Sequence, residues 1–137
     1  MMEMAVSISK MSKDPSTKVG CVIVSPDKRR ITTGYNGFPS DIPDYEDWWN
    51  NRDVESDGIA KYDICQHAEI NAIIQARTNL QGWSLYCTHR PCLSCTGIII
   101  SSGIKSVYYK ASETHMDLKT TKSSILFGIA EVAHQEL

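Results

Sequence analysis

His67, Cys92 and Cys95 are metal donors carried in two short clusters, His67-Ala68-Glu69 and Pro91-Cys92-Leu93-Ser94-Cys95. Zinc accepts imidazole nitrogen and thiolate sulfur. Structural sites close the tetrahedron with four protein ligands, whereas catalytic sites use three and keep one position for water. An ion held by these three residues alone leaves that position open and lowers the pKa of its water from about 16 to roughly 7. Glu69 stands too close to His67 in the chain to be a natural fourth ligand, yet it can reach such a water and carry its proton. The chemistry on offer is hydrolytic attack by an activated water, with a carboxylate moving the proton.

The elements that must bring these groups together are legible in outline. Met1, Met4, Ala5, Ile8 and Met11 recur at helical spacing, and Asp14-Pro15-Ser16 stops that helix. Val19 to Ser25 is a β-branched apolar run, the turn Pro26-Asp27-Lys28 follows, and Arg30 to Tyr35 completes a hairpin. From Gly37 to about Cys65 the pattern lapses into a long aromatic-and-acidic loop with adjacent Trp48 and Trp49. Loops of such length inside a domain are functional or disordered, and paired tryptophans argue against disorder. Ile70, Ile73 and Ile74 predict one apolar face on a helix from His67 to Arg77. A strand over Trp83–Cys87 comes next, then a helix opening at Pro91 and closing at Gly103. A strand at Val107–Tyr109 precedes a last helix over Lys119–Gly128, with Ile125, Leu126 and Ile129 in phase, and a short edge strand through Val132. Strands alternating with helices predict one α/β domain over residues 1–137, its mixed sheet covered on both faces.

Cys92 and Cys95 fall in the first turn of their predicted helix, where unpaired amides and the positive dipole end favour thiolate. Two plainer readings compete. The pair could be a redox dithiol, although that would not call for His-x-Glu on another helix. The zinc site could be closed and structural, with Cys65, Cys87 or His89 as fourth ligand. Cys21 and Cys87 read as small buried hydrophobes, and His115 and His134 as hydrogen-bonding side chains rather than ligands.

The two clusters match the H-x-E … P-C-x-x-C pattern of zinc-dependent nucleobase deaminases. Further segments extend the likeness: Ser12-Lys13-Asp14-Pro15-Ser16-Thr17-Lys18-Val19-Gly20, Gly34-Tyr35-Asn36-Gly37-Phe38-Pro39 and His67-Ala68-Glu69-Ile70-Asn71-Ala72. In order and spacing the chain resembles the deoxycytidylate (dCMP) deaminases of the cytidine deaminase superfamily. The resemblance implies a three-layer α/β/α fold with a five-stranded mixed sheet, one zinc per chain on His67, Cys92 and Cys95, and Glu69 as proton donor. It implies conversion of dCMP to dUMP for thymidylate synthesis, with Asn36 touching the sugar or base and the Ala68 amide facing the base carbonyl. It also implies a homohexamer, activated by dCTP and inhibited by dTTP with Mg2+, at a subunit-interface site that includes the Gly34, Tyr35, Asn36 and Gly37 segment. Arg77 is a further candidate for that effector site.

The likeness has gaps. Thr114, between Glu113 and His115, stands where relatives carry a substrate-contacting tyrosine. A substrate phosphate needs a basic partner, for which Lys18, Arg77, Arg90 and Lys110 are candidates. Gly34 and Gly37 would let a phosphate or sugar approach the backbone, and Asn36-Gly37 is equally an ordinary turn. Deaminases of other cytosine-type nucleosides, of guanine, of a riboflavin precursor or of tRNA adenosine are the alternative enzymes, and they lack these early segments in combination.

Composition narrows the partners. A formal net charge of −2 supplies no basic field for a polynucleotide, and Lys28-Arg29-Arg30 reads as a solvated turn. No apolar run approaches the roughly 20 residues that span a bilayer, and Met1 to Met11, with Glu3 inside it, does not read as a signal peptide. Opening within a helix, the chain is expected to start a little earlier in nature. Five cysteines, an odd number, suit reduced thiols, so the expected compartment is the cytoplasm.

Overall fold

The β-branched run Val22-Ile23-Val24 lies where such residues are best used, in a strand buried on both faces. In the computed structural model, which describes residues 1–110 and 118–137, this strand is β1 (Gly20–Val24). It pairs antiparallel with β2 (Ile31–Tyr35) from Gly20↔Tyr35 to Val24↔Ile31. The turn between them carries Lys28 at φ 62°. On its other side β1 pairs antiparallel with β3 (Ser84–Cys87), which sets Cys21 opposite Cys87. Strands β4 (Ser106–Tyr109) and β5 (Ala133–Glu136) extend the sheet in parallel, giving the order β2-β1-β3-β4-β5. This is the five-stranded mixed sheet that the sequence predicts. The edge strand begins after Val132 rather than running through it.

Helix α1 (Met2–Ser9) covers one face of the sheet. Helices α4 (Ala68–Ala76), α5 (Leu93–Ser101) and α6 (Leu118–Ile129) bring their buried residues to the other. There Ile23, Leu85, Cys87, Ile99, Val107 and Phe127 share one apolar core. Cys21 and Cys87 are buried members of it, as expected. His134 makes a polar contact from its ring to the Val132 carbonyl and lies beside Phe127. Residues 113–115 fall outside the described part of the chain.

Three expectations need correction. The stretch after Gly37 contains two short helices, α2 (Glu46–Asn50) and α3 (Lys61–Ile64). Trp49 anchors it, stacked on Phe38 at 4.1 Å between centroids, with its indole N–H donating to Asp44. Pro91 precedes the cap of α5 instead of opening the helix, because Cys92 is the N-cap. The helix closes as predicted, with Gly103 in the left-handed region at φ 80°.

The third correction concerns helix faces. On α4 Ala68, Glu69 and Ala72 are buried, Ile70 and Ile73 are half-buried and pack against the core as predicted, and Ile74 departs from the predicted face at 57 % exposed. Over residues 122–129 of α6, Ser123 and Phe127 are buried; Ile125 and Leu126 are exposed, and Ile129 is 76 % exposed. On α4 the cause is close packing. A Cβ on Gly34 of β2 would stand 2.4 Å from both the Ala68 carbonyl oxygen and the Ala72 amide nitrogen. Only alanine fits on a helix seated that low.

Candidate active site

Two helix N-termini build the centre. His67 is the N-cap of α4 and Cys92 the N-cap of α5, with Cys95 one turn further on. The Cys95 amide donates to Cys92 Sγ at 3.4 Å, which fixes the Cys-x-x-Cys turn. Nδ1 of His67 lies 3.3 Å from Cys95 Sγ and 3.4 Å from Cys92 Sγ. The three ligand atoms all fall within 4.8 Å of one another, and among the described residues no other His, Cys, Asp or Glu joins them. A tetrahedral zinc with ordinary Zn–S and Zn–N bonds separates such donors by about 3.6 Å, so the residues present fit that ion. Neither Cys65, Cys87 nor His89 closes the set. Cys95 is buried, Cys92 half-buried and His67 exposed, so the cluster opens on one side.

The hydrogen bonds within the cluster favour a thiolate at Cys92. Bonds from the Cys95 thiol and then the His67 ring hold the Cys92 thiol down to about 4. The bond to Cys92 pushes His67 up, and the Cys95 thiol, acting as donor, is pushed up as well. Glu69, in the first turn of α4, is buried, and that burial raises its carboxyl above the ordinary range.

The cluster opens into a cavity of about 310 Å3, walled by His67, Ala68, Glu69 and Cys92 with Asn36 among others. That volume is at the lower end of the range typical for small-molecule sites. Each predicted residue has a definite place. Ala68 begins α4 and faces the cavity beside Glu69. Asn36 lines it too, although both of its amide N–H groups already donate within the protein. Of the four basic candidates Arg90 alone lines the cavity; its guanidinium pairs with Glu136 at 2.7 Å and lies over Tyr109.

The Gly34 to Gly37 segment is stitched to the start of α4. Gly37 and Gln66 exchange two backbone hydrogen bonds, and Asn71 donates to the Tyr35 carbonyl at 2.8 Å. Gly34 allows a close approach to helix α4. Arg77 sits at the opposite, C-terminal end of α4 in a left-handed conformation, about 14 Å along a nine-residue helix from that segment.

Sequence reasoning missed Lys61 and Tyr62 as cavity residues, named His89 only as a possible fourth ligand, and quoted Asp14 only as part of a segment. Lys61 is buried against Asp14, a contact no local pattern announces.

A sheet of this order with a His-Cys-Cys cluster on two helix N-termini defines a class, the zinc deaminases. The chain belongs to the cytidine and deoxycytidylate deaminase family, whose zinc-binding region matches residues 1–111. It is 35 % identical to the deoxycytidylate deaminase of Mus musculus over 136 residues, which is 98 % of this chain and 76 % of the mouse protein. It is 38 % identical over 118 residues to a probable deoxycytidylate deaminase of Caenorhabditis elegans, covering 85 % of this chain and 58 % of that one. Among solved structures, the dCMP deaminase of cyanophage S-TIM5 in complex with dCMP and dUMP superposes with a TM-score of 0.75. That pair is 28 % identical and covers 99 % of this chain and 93 % of the phage protein.

Proposed function

We propose that this chain catalyses the hydrolytic deamination of dCMP, in which water enters, dUMP forms and ammonia leaves. One observation carries the reading: His67 and Cys92 of the metal cluster and the buried Glu69 line a single cavity of about 310 Å3. The phage relative solved with dCMP and dUMP supports the choice of substrate. A zinc ion on the three ligands supplies Lewis-acid activation of water.

The chain's own groups do the rest. Glu69 takes one proton from the attacking water and delivers it to the ring nitrogen, then takes the second from the new hydroxyl and delivers it to the departing amino group. Its raised pKa suits a group that must hold the proton between those transfers. The Ala68 amide, at the first position of α4, offers a donor to the base carbonyl. Asn36 meets the sugar or base.

The same reading extends to regulation and assembly. We assign dCTP activation and dTTP inhibition with Mg2+, a homohexamer, a cytoplasmic location and supply of dUMP to thymidylate synthesis. Exposed Leu93 and Ile98 on α5, with Ile125, Leu126 and Ile129 on the neighbouring α6, support self-association. Five free cysteines support a reducing compartment.

The test is ammonia release from dCMP, dCTP and deoxycytidine side by side, on protein of known zinc content. Turnover of dCMP alone is expected, raised by dCTP and lowered by dTTP when Mg2+ is present. Inactivity on all three at full zinc occupancy overturns the reaction, and a flat response to both triphosphates overturns the regulation.

A further inference from the structure

Part of the cavity wall is a buried ion pair that the proposed reaction does not use. Lys61 Nζ lies 2.9 Å from Asp14 Oδ1 and 2.8 Å from Oδ2, with the two side chains 6 % and 3 % exposed. Asp14 Oδ1 also accepts from the amides of Ser16 and Thr17, at 2.8 and 3.3 Å. Its Oδ2 accepts from Asn36 Nδ2 at 3.1 Å. The second N–H of that amide donates to the Thr17 carbonyl at 2.9 Å, and Asn36 Oδ1 accepts from the Val19 amide at 2.8 Å.

These partners leave no freedom in the orientation of Asn36. The Val19 N–H demands an acceptor, and Asp14 and Thr17 demand donors. Both Asn36 N–H bonds are therefore committed, and the capacity left over is the remaining lone pair of Oδ1. Asn36 can accept a hydrogen bond from a molecule in the cavity, but it cannot donate one.

We infer that Asp14 and Lys61 are positioning residues that make Asn36 an obligate acceptor, so that this wall selects a substrate presenting a hydroxyl or amine donor. The inference rests on reading the cavity as the deaminase substrate site. Lys61 keeps the buried carboxylate ionised, and so an acceptor toward Asn36. A buried carboxylate without its cation is costly and tends to neutralise. Lys61 thereby links α3, in the segment after Gly37, to the loop before β1 and to Asn36 at the end of β2.

The experiment uses the double variant Asp14→Asn/Lys61→Met, which removes both charges together and leaves no lone ion inside. An amide at position 14 cannot serve the Ser16 and Thr17 amides, Asn36 and residue 61 as the carboxylate does. KM for dCMP and Kd for dUMP should each rise about tenfold, the loss expected for one mismatched buried hydrogen bond, while kcat and zinc content hold. Asn36→Ala should raise KM in the wild type and add nothing in the double variant, a coupling that a merely structural role would not produce. Lys61→Gln is the milder substitution should the double variant not fold, and about a threefold rise in KM is expected there. Unchanged KM and Kd in folded, zinc-loaded variants, or full additivity with Asn36→Ala, would overturn the positioning role. Wild-type protein that binds dUMP but does not turn over dCMP counts against the reaction and leaves the Kd comparison to judge this inference.

Discussion

Replacing Glu69 by glutamine keeps the volume of the side chain but removes the proton it carries. The residue is buried in the first turn of α4, next to His67 and on the cavity wall. Glu69→Gln should therefore keep one zinc per chain and lower kcat by about two to four orders of magnitude, the usual size of a lost acid–base group. Zinc analysis with single-turnover ammonia release checks both halves; retained activity would move the proton transfer to another group. His67, Cys92, Cys95 and Glu69 are legible in the sequence because coordination chemistry dictates residue types at short spacing. Asp14 and Lys61 are not, because they reach the cavity from separate segments that only the fold brings together. Lys61 reads as one more surface lysine until its burial against Asp14 is seen.

Helix α4 sits so low on the sheet that two atoms of its backbone would meet a methyl group on Gly34 at 2.4 Å. Backbone cannot give way as the end of a side chain can. Gly34→Ala should cost about 1–3 kcal/mol in chemical denaturation, the range of an overpacked core. It should also weaken zinc binding, since His67 caps the displaced helix. Gly97 is the internal control: it lies on the exposed side of α5, with nothing within 4 Å of an added Cβ. Gly97→Ala should stabilise by about 0.5–1 kcal/mol through helix propensity. Equal effects at the two positions would remove the packing argument. The same contact explains why the tight side of α4 was not readable in the sequence. On α4 the apolar periodicity finds Ile70 and Ile73, which pack against the core, but adds exposed Ile74 and misses Ala68 and Ala72; on α6 it marks exposed Ile125 and Ile129 and misses buried Phe127. Small residues at a close approach carry little hydrophobic signal, so the pattern on α4 misses its tightest contact with the sheet.

Those exposed isoleucines bear on the assembled protein. Ile98 on α5 and Ile125 and Ile129 on α6 would leave apolar surface in water on an isolated chain. Sedimentation should give a multiple of the 15.3 kDa chain mass, and Ile129→Glu should shift it toward the monomer; a wild-type monomer at micromolar concentration would exclude the assembly.

Acid should act on the whole fold through Asp14. Burial alone would raise its carboxyl, but hydrogen bonds from Lys61 and from the Ser16 and Thr17 amides outweigh burial and leave it below the ordinary 3.8. The folded chain thus binds that proton more weakly than the unfolded one, and stability rises with pH across the interval between the two values. The contribution is complete at neutral pH, starts to fade as the pH drops toward 3.8, and is lost as the pH passes through the folded value. Urea midpoints taken from about pH 6 down to about pH 3 should fall at the acid end for the wild type. The Asp14→Asn/Lys61→Met variant lacks the titrating group and should show a shallower fall. Parallel curves for the two proteins would assign acid sensitivity to other carboxylates and leave the Asp14–Lys61 pair without a part in it.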